Sequence, residues 1–414
     1  MSDVSLLNRV LQSAHPAAWR CMTPLGRRLF FPDGVSSQSA EARGTRLNAT
    51  IGQLTDDHGQ PLPLPAMSGA LSDLTDAEVF LYPPQGGRRD LRLLWQQRLQ
   101  DRFPGVSLSL PLVTAGLTNG LAIAADLFVD EDTDVLIPLP CWGNYRHIFR
   151  TYRRGRLIEY PTMQRGPWRL NLDGLAAHIQ RLKRKALIVI NAPGNPTGYT
   201  PTIAEAHALA EILCASPVPL VVLCDDAYRG MVWEDGLIDD GLFGLLGRTA
   251  DPERLLVAKV DGATKELFFF GGRVGFLTFA VSPEAAPAIE EKARACTRAM
   301  ISAMPAPSQA LVARALRDPA LPAQQQAIRE LLRSRYQILR SEIDARGLPH
   351  WPFNSAFFAL LDVGPRAEPI RQALLAQDVG VVSFPEVGGI RVSYSTTPAA
   401  QIPRLVTAIA EQMA

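Results

Sequence analysis

An α/β fold with a mainly parallel sheet, joined to a smaller α+β unit, is what this sequence predicts. Three observations predict it. Short apolar or β-branched runs alternate with segments whose apolar residues recur at helical spacing, the pattern of strands covered on both faces by helices. Past about residue 300 that alternation gives way to one long helical stretch and then short strands. The 414 residues also exceed what one simple core holds.

In chain order, residues 1–60 read as an extended arm, because Gly26, Pro32, Asp33, Gly34, Ser36 and Ser37 interrupt any long helix. Leu91–Phe103 has apolar residues at helical spacing and is predicted as an amphipathic helix. Ser109–Thr114 follows as a strand, Gly116 as a turn and Thr118–Leu127 as a helix. Thr133–Pro138 is a strand, and Ala186–Ile190 (Ala-Leu-Ile-Val-Ile) has the fully apolar character of a buried parallel strand. Thr202–Cys214 is a helix, Pro219–Cys224 a second buried strand, and Leu255–Val260 and Val274–Ala280 are strands. Then come the long helix Ala323–Arg346, the strands Phe357–Asp362, Val379–Phe384 and Ile390–Tyr394, and a closing amphipathic helix Gln401–Met413. The expected units are an arm with part of the small domain (1–65), a large domain (66–302) and a C-terminal small domain (303–414).

The composition is that of an ordinary globular chain, 47% hydrophobic and 20% charged. A net charge of +1 carries no nucleic-acid footprint and no funnel for acidic substrates. The basic run Arg181–Lys185 reads as a solvated helix end before a buried strand. Cys21, Cys141, Cys214, Cys224 and Cys296 form no CxxC pair and no metal spacing, so no metal site and a reducing, cytoplasmic setting are expected. Met1–Trp19 lacks a secretory pattern, and no run of 18 apolar residues predicts a membrane span.

Chemistry-bearing residues collect just past the strands, where ligands sit in open α/β sheets. The segment Asp261–Arg273 places Lys265 between small residues and the apolar run Phe268–Phe270, which reads as packing around this loop. Desolvation there lowers a lysine's pKa and makes its amine a nucleophile toward carbonyls. Taken alone, a lysine at a strand end reads as a surface residue. Arg273 follows Gly271-Gly272, which lets backbone approach an anion closely. A carbonyl trap beside a phosphate clamp points to pyridoxal 5′-phosphate (PLP).

The other loops carry matching signals. Past Ala186–Ile190 lies Asn191-Ala192-Pro193-Gly194-Asn195-Pro196-Thr197-Gly198, a rigid backbone that presents Asn195 as a hydrogen-bond donor. Past Pro219–Cys224 lies Asp225-Asp226-Ala227-Tyr228. A carboxylate at a buried strand end needs a positive partner, and a protonated pyridine nitrogen is one. Asp226 points elsewhere and reads as structural or solvent-facing. Past Ser109–Thr114, Gly116-Leu117-Thr118-Asn119-Gly120 opens a helix whose N–H groups form an anion site. Past Thr133–Pro138, Trp142 reads as a core tryptophan or as a stacking surface.

In this order the loops resemble those of the fold-type I PLP-dependent aminotransferases of the class I/II family, nearest the aspartate and aromatic branch, over about residues 47–392. The resemblance implies the PLP-transferase fold, with a mainly parallel seven-stranded-type sheet. It implies that Lys265 is the Schiff-base lysine, Asp225 the partner of the pyridine nitrogen, and Asn195 and Tyr228 ligands of the ring oxygen. Trp142 matches the stacking aromatic. Leu117 and Thr118 match the phosphate turn, with Thr264 and Arg273 as side-chain ligands. Gly52 resembles the glycine beside the substrate, and Arg391 the clamp for its α-carboxylate. Tyr82 resembles the tyrosine that reaches the phosphate from a neighbouring subunit, which implies a homodimer with shared sites. Arg298 lies where aspartate aminotransferases place a distal-carboxylate arginine, also open to supply from the neighbour; with Lys292 and Arg294 it equally lines an exposed helix. The chain departs from the family pattern at Gly262, where a serine is frequent, and at Tyr145, where aspartate aminotransferases carry a histidine.

The activity implied is transfer of an amino group from an L-amino acid to a 2-oxo acid by a ping-pong mechanism. A PLP-dependent lyase, decarboxylase or oxidase on the same fold is the alternative. A non-enzymatic PLP-binding regulator would carry a DNA-binding module, and residues 1–60 show no helix-turn-helix pattern.

Overall fold

The computed structural model describes residues 4–166 and 168–414. Its main sheet has seven strands: β1 (Leu112–Ala115), β2 (Asp134–Leu139), β3 (Arg156–Pro161), β4 (Ala186–Ile190), β5 (Leu220–Asp225), β6 (Leu255–Gly262) and β7 (Val274–Ala280). Their order is β1-β7-β6-β5-β4-β2-β3. Strands β2 to β6 pair in parallel with one another, and β7 runs antiparallel to both β1 and β6.

The apolar runs of the sequence form this sheet because both faces are covered. Val135, Ile137, Leu187, Val189, Leu223, Ala258 and Val260 face one hydrophobic cluster, with Leu121 and Ala125 of helix Leu117–Phe128. The intervening residues Leu136, Ile188, Ile190, Val222, Cys224 and Val257 face a second cluster. Each large side chain so buried contributes roughly 1.5–3 kcal/mol. A one-residue slip would exchange the faces of a whole strand, so the packing holds the register.

Parallel pairing brings the carboxyl ends of β2, β4, β5 and β6 to one edge. Strand β7 runs the other way, so its first residue lies at that edge too, with Val274 opposite Ala115 and Gly275 opposite Gly262. Arg273 and the start of helix Leu117–Phe128 therefore meet at the end of the strand that leads to Lys265.

Beyond the main sheet, Phe358–Asp362, Gly389–Ser393 and Val382–Phe384 form a three-stranded antiparallel sheet. Helix Ala367–Ala376 packs on it and on helix Ile402–Met413, which packs on the long helix Leu321–Ala345. Leu47–Asn48 pairs in parallel with Val379–Gly380 and ties the N-terminal segment to this end. No helix among the described residues is long and apolar enough to cross a membrane.

The structure departs from the sequence reading in several places. The expected extended arm is a string of short helices, Val4–Ala14, Pro16–Cys21, Pro24–Arg28 and Val35–Glu41; residues 1–3 of that arm lie outside the described residues. His15 and Thr23 accept N–H bonds as caps before Pro16 and Pro24, so these breakers start helices as well as ending them. The expected strand Val379–Phe384 is two, Val379–Gly380 and Val382–Phe384. Strand β3 went unread because it is an edge strand of mixed polarity, with Arg156, Glu159 and Pro161 among its residues. Helix Ala286–Met300 was missed because few of its residues, Ala286, Ala293 and Thr297, are buried.

Gly262 ends β6 where it crowds β7. A Cβ there would lie 2.6 Å from Gly275 Cα and 2.6 Å from Val274 O, both backbone atoms that cannot swing aside. Gly262→Ser is accordingly expected to destabilise the protein by about 1–3 kcal/mol. Thermal unfolding checks this: Tm falls, and an unchanged Tm would show that the two strands part without cost.

Candidate active site

Asp225 is the last residue of β5 and is 4% exposed. The Tyr145 hydroxyl donates to its Oδ2 at 2.5 Å, while Oδ1 is buried with no hydrogen-bond partner among the described residues. Burial pushes the Asp225 carboxyl up; the Tyr145 hydrogen bond and the charge of Lys265 pull it back. The fixed hydroxyl thus leaves one carboxylate oxygen with its capacity unspent.

The neighbouring loop is held to the same strand end. Asn191 Nδ2 donates to the Asp225 carbonyl oxygen at 2.8 Å, and Asn191 Oδ1 accepts from the Asn195 N–H at 2.8 Å. Gly198 ends the loop at φ +76°, where a Cβ would lie 2.1 Å from the Phe358 carbonyl oxygen. Only a glycine lets the loop close against that strand.

Lys265 sits in the single turn Ala263–Glu266 that follows β6. Its Nζ lies 4.9 Å from the ring centroid of Tyr228. Burial lowers its pKa to about 8; Asp225 opposes that shift and Arg273 adds to it. Tyr228 is buried and meets Phe357 and Phe358 edge-on, at 5.2 and 5.6 Å.

At one end of the cavity Gly116 precedes helix Leu117–Phe128 with φ +74°. A Cβ on Gly116 would lie 2.4 Å from Arg273 Nη2, so the guanidinium packs directly on the helix start. The first N–H groups of a helix have no intrahelical acceptors, and the macrodipole adds positive potential. Thr264 Oγ1 is buried beside this end without a hydrogen-bond partner among the described residues. Together these groups form a place for a phosphate-like anion.

At the other end Arg391, 1% exposed, lies on strand Gly389–Ser393. Its guanidinium carbon is 4.2 Å from the Phe358 ring centroid. Nη1 donates to Asn195 Oδ1 at 2.8 Å, Nη2 donates to the Thr50 carbonyl, and Nε is buried without a partner among the described residues. Burial lowers its pKa to about 10, which still leaves it a cation at neutral pH. Gly52 lies against the same ring: a Cβ there would be 2.4 Å from Phe358 Cζ.

One cavity of about 190 Å³ collects these groups. Gly52, Leu117, Thr118, Trp142, Asn195, Asp225, Tyr228, Thr264, Lys265, Arg273 and Arg391 all line it. Tyr82 and Arg298 do not. Tyr82 is 93% exposed, and Arg298 is an exposed side chain bonded to Ser302 Oγ. The sequence reading assigned no part to Val35, Ile51 or Phe358, which also line the cavity, or to Asn191. Asn191 heads the quoted proline-glycine block, so its signal was present; Phe358 is brought in by tertiary packing alone. The site fits a flat cofactor that has a cationic ring nitrogen for Asp225 Oδ1, a carbonyl for Lys265 and a phosphate for Arg273, Thr264 and the helix start.

Comparison with known proteins supplies the family and the fold. Residues 45–409 match the sequence signature of the family described as aminotransferase class I and II. Aromatic-amino-acid aminotransferase 2 of Thermococcus litoralis is 27% identical over 303 residues, 69% of this chain and 71% of its own. The aspartate/prephenate aminotransferase of Thermus thermophilus is 28% identical over 330 residues, 76% of this chain and 79% of its own. The solved structure of an aminotransferase from Anaerococcus prevotii superposes with a TM-score of 0.83 at 21% identity, covering 94% of this chain and 99% of that one. The aspartate aminotransferase of Thermus thermophilus with maleate gives 0.76 at 23% identity, covering 94% and 100%. At these identities the structural likeness is one of fold.

The lowered amine of Lys265 has a measurable consequence. An amine reacts with carbonyls only when deprotonated, so trapping of Lys265 by pyridoxal in cofactor-free protein is expected to rise with pH with its midpoint near about 8, well below the ordinary lysine value of 10.5. Borohydride reduction and peptide mass spectrometry follow it. A midpoint close to 10.5 would show that the amine is not desolvated.

Proposed function

The chain belongs to the class I and II aminotransferases and is a transaminase, and we propose that it uses pyridoxal 5′-phosphate held by Lys265 to move the amino group of an L-amino acid to a 2-oxo acid in a ping-pong cycle. One observation carries this reading. A single cavity holds a lysine with a lowered pKa, a buried carboxylate with one oxygen unpartnered, and a guanidinium at each end.

In this reading Asp225 Oδ1 holds the ring nitrogen in its protonated form, and Tyr145 keeps that carboxylate from turning. Asn195 and Tyr228 take the ring oxygen, and Trp142 covers the ring face. Leu117, Thr118, Thr264 and Arg273 take the phosphate. The bound cofactor supplies an electron sink for charge at the substrate Cα. Lys265 Nζ, with a pKa of about 8, is matched to take the Cα proton near neutral pH and to return it. Arg391 offers its unpartnered Nε to the substrate carboxylate and sets the Cα–H direction.

Phe358 packs on Arg391, and Val35 and Ile51 line the same cavity, an apolar lining that favours an aromatic or aliphatic donor. An acidic donor would need a second cation at that end, and Arg298 from a second copy of the chain is the candidate. Two copies sharing their sites also account for the exposed run Phe80, Leu81 and Tyr82, at 79%, 65% and 93% exposure, which would place Tyr82 against the other copy's phosphate.

An amino-donor screen tests the activity. The correct amino acid is expected to bleach the cofactor's visible band and a 2-oxo acid to restore it. Release of pyruvate and ammonia without an acceptor would assign a lyase instead. Lys265→Ala is expected to abolish turnover and covalent cofactor attachment, and normal activity in that variant would overturn the assignment. Arg391→Ala is expected to raise KM for amino acids on the order of 100-fold, from the loss of charged hydrogen bonds worth about 3 kcal/mol. An unchanged KM would show that the carboxylate binds elsewhere.

A further inference from the structure

Three side chains that reach the cavity from the strand ends are each followed in sequence by a charged residue. Asp226 follows Asp225, Arg229 follows Tyr228, and Glu266 follows Lys265. Asp226, Arg229 and Glu266 do not line the cavity. They are nonetheless buried, at 4%, 7% and 3% exposure, which corrects the option of a solvent-facing Asp226. Lys259, fully buried on β6, pairs with Asp226, and its Nζ lies 3.6 Å from Asp261 Oδ2. Trp95 Nε1 donates to Asp261 Oδ1 at 2.9 Å. Arg229 Nη2 donates to Glu266 Oε1 at 2.5 Å, and Arg98 from helix Arg89–Arg102 bonds the same oxygen. Gln325 Nε2 donates to the Glu266 backbone carbonyl at 2.8 Å.

The carboxylates Asp226, Asp261 and Glu266 are answered by Lys259, Arg229 and Arg98. Burial pushes the Glu266 carboxyl up, but Arg229 and Arg98 hold it down to about 2, so it is an anion throughout the working range. Taking this many charges out of water is costly and returns little net stability compared with apolar residues of the same volume. What the charges do supply is direction. The ion pairs at Asp226 and at Arg229–Glu266 hold backbone segments whose adjacent side chains, Asp225, Tyr228 and Lys265, line the cavity, and the Asp226 N–H to Val260 O bond of 2.9 Å joins the two strand ends.

We propose that this buried ion network, behind the strand ends, is a positioning device for transamination: it sets the orientation of Asp225, Tyr228 and Lys265 toward one cofactor. The proposal rests on the assignment of Lys265 and Asp225 to the cofactor. The two fail differently: Lys265→Ala reports on that assignment, and the network variants report on the positioning.

The test is the holoenzyme of the double variant Arg229→Met/Glu266→Gln, which removes a whole charge pair and leaves Arg98, whose side chain is 31% exposed, able to hydrate. Its thermal unfolding is expected to stay near that of the wild type. Its kcat is expected to fall about 10- to 100-fold, the cost of a misplaced reacting group, with KM for the amino acid within about threefold because Arg391 lies outside the network. The pH midpoint of the lysine-bound cofactor's visible absorbance is expected to move by at least about 0.5 unit as Lys265 and Asp225 change their separation. A folded double variant with kcat within about twofold of wild type and an unmoved midpoint overturns the proposal, since a purely structural network predicts that result. Where the double variant does not fold, Glu266→Asp carries the same test: it keeps the charge and withdraws it by one methylene, and unchanged kcat and midpoint overturn the proposal equally.

Discussion

A carboxylate buried at the end of a parallel strand must have its charge answered, and much of the cavity is arranged around that demand at Asp225. Water is excluded there, so an unanswered anion would be heavily penalised. Tyr145 satisfies one oxygen, Lys265 contributes positive charge nearby, and Asn191 ties down the backbone carbonyl of the same residue. The remaining oxygen is an unspent acceptor in an otherwise well-bonded strand end. An unsatisfied buried acceptor of this kind is costly by itself, and a cation that completes it would recover that cost as affinity.

The sheet's connectivity decides which groups meet Asp225. Parallel strands deliver β2, β4, β5 and β6 to one edge, and the single reversed strand β7 delivers Arg273 to the same edge. Its neighbours then approach so closely that glycine is required at Gly116 and Gly262, where a Cβ would meet Arg273 and the backbone of β7. Tight strand packing thus leaves no room for a Cβ at Gly262. The second end of the cavity comes from a different part of the chain. Arg391, Phe358 and Gly52 are far apart in sequence and meet at one ring, with the guanidinium over the Phe358 face and Gly52 against its Cζ.

On the opposite side of the same strand ends, buried charges pair with one another. The chain thus uses adjacent residues for two purposes, one facing the cavity and the next facing the ion network. Neighbouring side chains leave the backbone in different directions, at the end of β5 for Asp225 and Asp226 and in the turns that carry Tyr228–Arg229 and Lys265–Glu266, so the division needs no additional chain. It also explains why these segments carry so many charged residues in a region with so little exposed surface.

Much was legible in the sequence by itself, and for a physical reason. The apolar run Ala186–Ile190, short and bounded by turn residues, reads as a buried strand, and in a parallel sheet the residues just past such strands lie at one edge. The loops carrying Asn195, Asp225 and Lys265 were therefore legible as a set, in order, whereas Arg391, inside a strand of the small sheet, was singled out by the family resemblance alone. The short N-terminal helices, the polar edge strand β3 and the sparsely buried helix Ala286–Met300 were not, since local pattern is weak where few side chains are buried. Tertiary structure alone decided that Tyr145 would bond Asp225, that Phe358 would carry Arg391 and exclude a side chain at Gly52, and that Asp226 would be buried against Lys259. Each of these contacts joins residues distant in sequence, and their meeting depends on strand register and side-chain packing, which no local pattern encodes.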